Sequence, residues 1–399
     1  MDKASGYILA LNCGSSSLKF SVFQAATLKC CLRGSVNHIG QTDSVLEVAG
    51  AEGGLIYSNK VRIADIASAV QLTVEWLKNY PEKHPVVAIG HRIVQGGPCH
   101  YEPEIIDDFL LTTLGQYIHL APNHLPHEIA AIKLCRTAFP DITQVACFDT
   151  CFHKDMPDYA RYYPLPVRLR EEGLVRYGYH GLSYEYVSGR LTKTEKEIKG
   201  KKIIIAHLGS GASMAAIKDG KSVETTMGFS PMGGLMMGSR PGDLDPGAVL
   251  FLLTKMKMKV NEVENLFNKQ SGLKALAGNS DVKKLIEEEA FEPLAREAVT
   301  MFCYQARKAI GSLATALGGI DILVFTGGIG ENSPVIRKRI CNELNFLGIR
   351  LSKKSNRKSL RNISSSKSKV KVMVIKTDEE SMIALHTQNL LHVKSLTKH

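Results

Sequence analysis

The sequence predicts an α/β protein of two duplicated domains, on three observations. Residues 8–16, ILALNCGSS, are echoed at 203–211, IIIAHLGSG: an apolar run, a polar residue (Asn12 or His207), then a small-residue loop with Gly-Ser at 14–15 and 209–210. Short apolar runs alternate with longer amphipathic stretches, the pattern of strands feeding helices. The chain has 399 residues, room for two domains at roughly 100–200 residues each.

Each copy of the repeat runs on into a second apolar stretch, Phe20–Phe23 and Met214–Ile217, so each reads as strand, tight Gly/Ser turn, strand. One unit opens each half, and the two loops are expected to face each other across a cleft. Val86–Gly90, Gln144–Phe148 and Ile322–Phe325 read as short buried strands, and helical patterns cover 65–79, 126–138, 289–317 and 378–392. The last helix can start at Thr377 or Asp378 as N-cap, with acids in its first turn. The join between halves lies between 150 and 200, punctuated by Pro157, Pro164 and Pro166.

Composition narrows the class. With 44% hydrophobic and 22% charged residues the chain can bury a large core. It holds no run of about 18 apolar residues, so no membrane span is expected, and its start lacks a signal-peptide pattern. Nine cysteines without a C-x-x-C pair fit reduced thiols and a cytoplasmic location. The formal charge is +11, but much of the excess sits in Ser352–Lys371, which contains no acid. That segment lacks interleaved aromatics for stacking on bases. It is expected to be a solvated loop or hairpin dispensable for catalysis, and no nucleic-acid partner is expected.

Three Gly-rich loops suit phosphate, because backbone N–H groups can approach oxygens where no Cβ intervenes: NCGSSSLK at 12–19, HLGSGAS at 207–213 and FTGGIGENS at 325–333. The last follows a strand and precedes a helix, whose N-terminus could meet an anion. A Walker A loop is excluded, since Ala215 stands where GKS at 220–222 would need its first glycine, and no G-x-G-x-x-G follows a strand. His127-Glu128 begins like a zincin, but Ala131 occupies the second histidine position. Polar residues remain at apparent strand ends and loops: Arg92 in GHRIVQGG, Asp149 in CFDTCFH, His180 in YGYHGLS and Arg240 in MMGSRPGDLDPG. Taken singly, an arginine past a strand is as readily a structural ion-pair partner as a ligand for anions. Together they match what phosphoryl transfer requires: guanidinium forks for carboxylate or phosphate, a carboxylate for a cation, and a histidine that donates to the moving group.

At this point the chain closely resembles the acetate kinase family, of the acetate and sugar kinase/Hsp70/actin fold. The resemblance rests on NCGSSSLKF, GHRIVQGG, LAPNHLP, CFDTCFHKDMPDYA, YGYHGLSYEYV, HLGSGAS, TTMGFSPMGGLMMGSRPGDLDPG, VFTGGIGENS and TDEESMIA, in one order over nearly the whole chain. It implies two actin-like (ribonuclease H-like) domains, 1–150 and 151–385, with a helix at about 386–399 returning to the first and the active site in the cleft. It also implies reversible, direct in-line transfer from ATP to acetate, giving ADP and acetyl phosphate, with Mg²⁺ (or Mn²⁺ in its place), in a homodimer. By the same resemblance Asn12 and Glu379 belong near the metal. Ser15, Ser17 and Lys19 form the first phosphate loop. Arg92 and Arg240 flank the acyl phosphate, and Arg240 and His180 stabilise the transition state, with His124 and His207 nearby. Asp149 serves the carboxylate or the metal shell. His207, Gly209, Ser210, Gly211, Asp281, Lys283, Gly328, Gly330, Glu331 and Asn332 lie on the nucleotide side, and Val94, Asn123, Tyr179 and Pro231 form the acyl pocket.

The chain departs from the family pattern at several of these places. Asn123 replaces the leucine of L-A-P-L-H-N-P, Gln95 a common histidine and Tyr179 a common phenylalanine, which predicts a more polar acyl pocket. Ser210 replaces an asparagine and Lys283 an arginine on the nucleotide side. A propionate or other short-chain acyl kinase and a pyrophosphate-dependent enzyme are therefore the rival readings. A nucleotide-driven binding module of the Hsp70 or actin type would not need Arg92, Arg240, His180 and an acyl pocket together.

Overall fold

The computed structural model describes residues 6–14, 17–80, 85–195 and 197–396. It divides into two compact units: one runs to Cys151 and resumes at Asp378, the other spans Phe152–Thr377.

In the first unit β1 (Tyr7–Cys13) and β2 (Leu18–Gln24) form the antiparallel hairpin expected of the repeat, with Asn12 opposite Lys19. β3 (Cys30–Asn37), β4 (Val45–Gly50) and β5 (Leu55–Lys60) extend it as a meander. On the other side of β1, β6 (Val86–Ile93) and β8 (Thr143–Phe148) pair in parallel, and β7 (Glu104–Ile105) closes the edge, giving the order β5-β4-β3-β2-β1-β6-β8-β7. α1 (Ile66–Asn79), capped by Asp65, and α3 (Leu125–Ala138) bury Ile66, Val70, Ala131 and Cys135 against Leu9, Leu11 and Ile89; α2 (Asp108–Gln116) lies beside α3. Parallel strands need both faces covered, and α15 (Glu379–Leu396) covers the second, against β1, β6 and β8. It lies so close that a Cβ on Gly90 would come 2.3 Å from Thr387 Oγ1 and 2.5 Å from Ile383 Cγ2. Because this helix packs on the first sheet from its first turn, the chain rejoins the first unit at Asp378, earlier than the position near 386 drawn from sequence.

The second unit holds α4 (Asp158–Arg161), α5 (Val167–Glu171), α6 (Gly181–Thr194), β9 (Lys202–Leu208), β10 (Ala212–Lys218) and β11 (Lys221–Thr225). After these come α7 (Pro246–Thr254), α8 (Val260–Lys269), α9 (Gly272–Ala277), α10 (Val282–Glu288), α11 (Pro293–Leu317), β12 (Ile322–Thr326), α12 (Gly327–Asn332), α13 (Pro334–Cys341), α14 (Lys353–Arg357) and β13 (Lys371–Val374). Its sheet runs β11-β10-β9-β12-β13. The hairpin β9–β10 is antiparallel and β12 joins β9 in parallel, so the duplication extends past the hairpin to its parallel neighbour. α6 packs Tyr184, Val187 and Leu191 on Ile203, Ile205 and Val324, while α11 covers β9, β10 and β11. The helix drawn from 289 starts at Pro293, because α10 ends at Glu288 and proline takes the first helical position. Within Ser352–Lys371 the chain forms α14 and two isolated bridges, Leu351 with Ser364 and Asn362 with Met373.

Candidate active site

Parallel strands deliver their C-terminal ends to one edge of a sheet, where open α/β sheets place their ligands. In the first unit β1, β6 and β8 bring Asn12, Arg92 and Asp149 to that edge. Arg92 donates from Nη2 (2.6 Å) and Nε (3.0 Å) to Asp149 Oδ2, and its Nη1 lies 3.5 Å from Asn12 Oδ1. The amide of Asn12 donates to Glu379 Oε2 at 2.8 Å and Glu380 Oε1 at 3.0 Å, both in the first turn of α15. Four residues picked from sequence thus form one network, and Glu380 joins it. Burial, then the charge of Glu379, pushes the Glu380 carboxyl above its usual range, against the pull of Lys19 and Asn12. Burial works against the charge on Arg92, but Asp149 and Glu379 outweigh it and hold the guanidinium above its ordinary value.

Another buried carboxyl lies behind this edge. Glu128 is 1% exposed, and its Oε2 accepts the Val94 N–H at 3.1 Å. Burial pushes it up to about 8, with Asp149 adding to the rise and Arg92 and the Val94 N–H opposing it. Its other oxygen has no hydrogen-bond partner among the described residues. Val94 itself is buried, and the buried Gln95 accepts the Gly97 N–H at 2.8 Å within its own loop. Asn123 is half-buried, and α3 begins after His124 with no side-chain cap. Ser15 lies outside the described residues. Ser17 closes its loop through Gly14 N–H to Ser17 O, 2.8 Å, and Lys19 is exposed.

In the second unit His180 caps α6 with φ +60°, a left-handed conformation that costs a bulky residue about 1–3 kcal/mol and is kept where the surroundings fix it. Its Nδ1 is 2.8 Å from Ser213 Oγ, which Tyr184 Oη also meets at 2.5 Å. The ring stacks on His207 at 4.4 Å between centroids, and His207 Nδ1 is held 2.8 Å from Ser183 Oγ. A Cβ on Gly211 would lie 3.3 Å from His180 Nε2 and 3.5 Å from Arg240 Nη2, so both side chains converge on this glycine. Arg240 is oriented by the Pro231 carbonyl, 2.6 Å from Nη1. Tyr179 is buried and donates its hydroxyl to Phe229 O at 2.8 Å.

Ser210, Asp281, Lys283, Gly328 and Asn332 line one pocket of about 450 Å³. Gly209 closes the loop before it, donating to Gly211 O at 3.0 Å. Asp281 caps α10 by accepting the Lys283 N–H at 2.9 Å. Glu331 and Gly330 are engaged elsewhere. Glu331 Oε1 accepts the Gly327 N–H at 2.9 Å and the Thr377 N–H at 3.0 Å, and the Gly330 carbonyl takes Arg337 Nη1 at 2.7 Å. The first N–H of α12, expected to be open to an anion, is therefore taken by a carboxylate of the same helix.

Sequence reading missed Glu380, Glu128, Ser183 and Ser213. The acid pair in TDEES was the one available signal for Glu380. Glu128 shows in the sequence only beside His127, in a pattern that Ala131 prevents from being a zincin.

The chain matches the family model described as the Acetokinase family over residues 7–385. It is 42% identical over 391 residues to an acetate kinase of Nitrobacter hamburgensis, with 96% of each chain covered. To an acetate kinase of Thermoanaerobacterium thermosaccharolyticum it is 41% identical over 396 residues, covering 96% of this chain and 98% of the other. Among solved structures, a propionate kinase from Francisella tularensis subsp. tularensis SCHU S4 aligns with a TM-score of 0.88 and 36% identity over 96% of this chain and 99% of that one. Porphyromonas gingivalis acetate kinase aligns with a TM-score of 0.83 and 35% identity over 97% and 100%.

Proposed function

The chain belongs to the acetokinase family, a kinase that phosphorylates acetate on two actin-like domains, and on that premise we propose how its residues divide the work. ATP is the donor, transfer is direct, in line and reversible, and acetyl phosphate is the product. The observation that carries this reading is the convergence of Arg240 and His180 on Gly211, two cationic or proton-bearing groups at a backbone position open to phosphate oxygens. A carboxylate is ionised at pH 7 and needs no strong base to attack. The protein's task is to hold two anions and offset charge on the moving group, which suits guanidinium forks. Arg92 is held by Asp149 and Arg240 by Pro231 O, so each guanidinium is oriented within its own unit. The pocket of Ser210, Asp281, Lys283, Gly328 and Asn332 is the proposed nucleotide side.

A divalent cation fits the Asn12–Glu379–Glu380 group, because its donors are oxygens and two adjacent carboxylates share one amide. Among the described residues no cluster of three His, Cys, Asp or Glu side chains could hold a metal alone. This suits Mg²⁺, which keeps waters and substrate phosphates and takes only one or two protein carboxylates. When bound, the ion neutralises phosphate charge. Asn12 and Glu379 would hold it, and Lys19 would balance the remaining carboxylate.

We expect a homodimer, because α7 has no buried residue although it carries Leu250 and Phe251, 60% and 53% exposed, with Met256 and Val260 also exposed beyond it. Phe251→Asp should shift sedimentation towards a monomer; a wild-type profile would remove this face from the interface. Among the described residues no helix is long and apolar enough to cross a membrane, and all nine cysteines are free, in keeping with a reducing, cytoplasmic setting. The test of the reaction is turnover with acetate, propionate and butyrate, each with ATP and then pyrophosphate. Acetate with ATP should give the highest kcat/KM. Preference for propionate would favour the rival acyl specificity, and preference for pyrophosphate would overturn the donor assignment.

A further inference from the structure

One cavity of the second unit shares Pro334 and Val335 with the pocket of Ser210 and Lys283 but is lined by none of the residues assigned above. It measures about 850 Å³, within the range of small-molecule sites. Its walls come from α13, the turn after it, α14 and the loop before β13. They carry five cations, Lys338, Arg350, Lys353, Arg357 and Lys367, and no carboxylate. Among the described residues none of the five takes part in an ion pair. Like charges gathered in one concavity repel each other, and water and salt only partly screen them. Nearby basic residues are treated differently: Arg361 and Lys371 both pair with Glu195.

One wall is rigid. Arg337, fully buried, spends its guanidinium on Asn356 Oδ1 and O, the Gly330 and Glu331 carbonyls and Ser359 Oγ, all at 2.7–2.9 Å. Asn356, 5% exposed, lines the cavity and donates to Pro334 O at 2.8 Å. The Ser352–Lys371 segment expected to be a solvated loop or hairpin is therefore pinned to the body of the unit at Asn356, with Lys353, Arg357 and Lys367 around the hollow. Ser365 and Ser366 add hydroxyl donors to the walls.

We propose that this cavity is a binding site for a compact, multiply phosphorylated small anion. Arg350 and Arg357 supply planar forks for phosphate oxygens and the lysines supply point charges. A nucleic acid is disfavoured because the walls carry no aromatic side chain on which a base could stack. The inference does not rest on the acetate-phosphorylating reading, since no wall residue is placed in that chemistry.

The experiment is calorimetric titration of the full chain with inorganic tripolyphosphate in metal-free buffer, with and without excess ADP. The same titration is run on a variant carrying Lys338→Gln, Arg350→Gln, Lys353→Gln, Arg357→Gln and Lys367→Gln. The wild type should keep a tripolyphosphate site that ADP does not displace and that weakens with added salt. The variant should lose that site while turning over acetate and ATP at the wild-type rate, which also shows that it folds. Single neutralisations should weaken it by about two- to fivefold each. Equal binding by variant and wild type overturns the proposal. So does a 12-nucleotide single strand that binds more tightly than tripolyphosphate, which would make the surface a nucleic-acid site. If ADP displaces nothing anywhere, the nucleotide assignment fails and the cavity assignment stands or falls on the variant alone.

Discussion

Replacing Arg92 by alanine tests whether the strand-end network supports the fold, the chemistry, or both. Asp149 is 1% exposed at its side chain, and Arg92 meets it with two hydrogen bonds of 2.6 and 3.0 Å. Removing one partner of a buried ion pair strands the other charge, at about 3–5 kcal/mol. At roughly 2–4 °C per kcal/mol for a unit of this size, the midpoint of unfolding should fall by about 6–20 °C. Arg240 offers the contrast, because it is half-buried and its Nη1 donates to a backbone carbonyl, that of Pro231. Arg240→Ala should lose about 1 kcal/mol of stability but roughly 10²–10³-fold in kcat. Arg240→Ala should therefore lose turnover far more than stability, whereas Arg92→Ala should lose both. Urea unfolding of Arg92→Ala, Asp149→Leu and the double variant Arg92→Met/Asp149→Leu gives the test. The double variant should regain most of the stability lost by Arg92→Ala and none of the activity, since apolar groups of similar size replace a buried pair at little net cost. Unfolding of Arg92→Ala at the wild-type urea concentration with an unchanged slope would refute the reasoning.

Further outcomes follow from the same geometry. Glu128 binds its proton up to about pH 8 when folded but only to about 4.5 when unfolded, so folding stability should fall as pH rises between these values; above pH 6.5 the buried His91 and His153, both lowered to about 4, no longer oppose it. Between pH 6.5 and 8 the slope should approach 1.4 kcal/mol per unit at most, and Glu128→Gln should flatten it; an unchanged profile would place the proton elsewhere. Glu379→Gln and Asn12→Ala should raise the magnesium concentration needed for half-maximal turnover, and matching titrations in both variants and wild type would remove these residues from the metal. Asn123→Leu should raise the propionate-to-acetate ratio of kcat/KM several-fold, because stripping water from a polar wall costs about 1–3 kcal/mol whereas a methylene gains only about 0.8 kcal/mol. A constant ratio would mean that Asn123 does not meet the acyl group.

What the sequence disclosed is what short-range pattern can carry. The strand–turn–strand repeat was visible because each copy keeps its apolar run and its glycines within about a dozen residues, and Arg92 and Asp149 stood out because each comes at the end of a buried run. α7 was not drawn, because it is apolar all round and none of its residues is buried, so it lacks the one-sided pattern that marks a packed helix. Glu128 was missed for a different reason. Its meaning comes from Val94, Arg92 and Asp149, which are 34, 36 and 21 residues away and meet it only once α3 lies behind β6.

The departures from the family pattern gain or lose weight by the same test of where each polar group spends its bonds. Gln95 and Tyr179 suggested a polar acyl pocket, but the Gln95 carbonyl closes its own loop on Gly97, and the Tyr179 hydroxyl is committed to Phe229 O. Either group is then an internal fastening, and substituting it should register in stability before specificity. Asn123 is half-buried and caps no helix, so of the three it is the one whose polarity is still available to a substrate. Ser210 and Lys283 do line a common pocket. The question of acyl preference thus contracts to one side chain in the first unit, and the question of phosphoryl donor to two in the second, and the two can be varied independently.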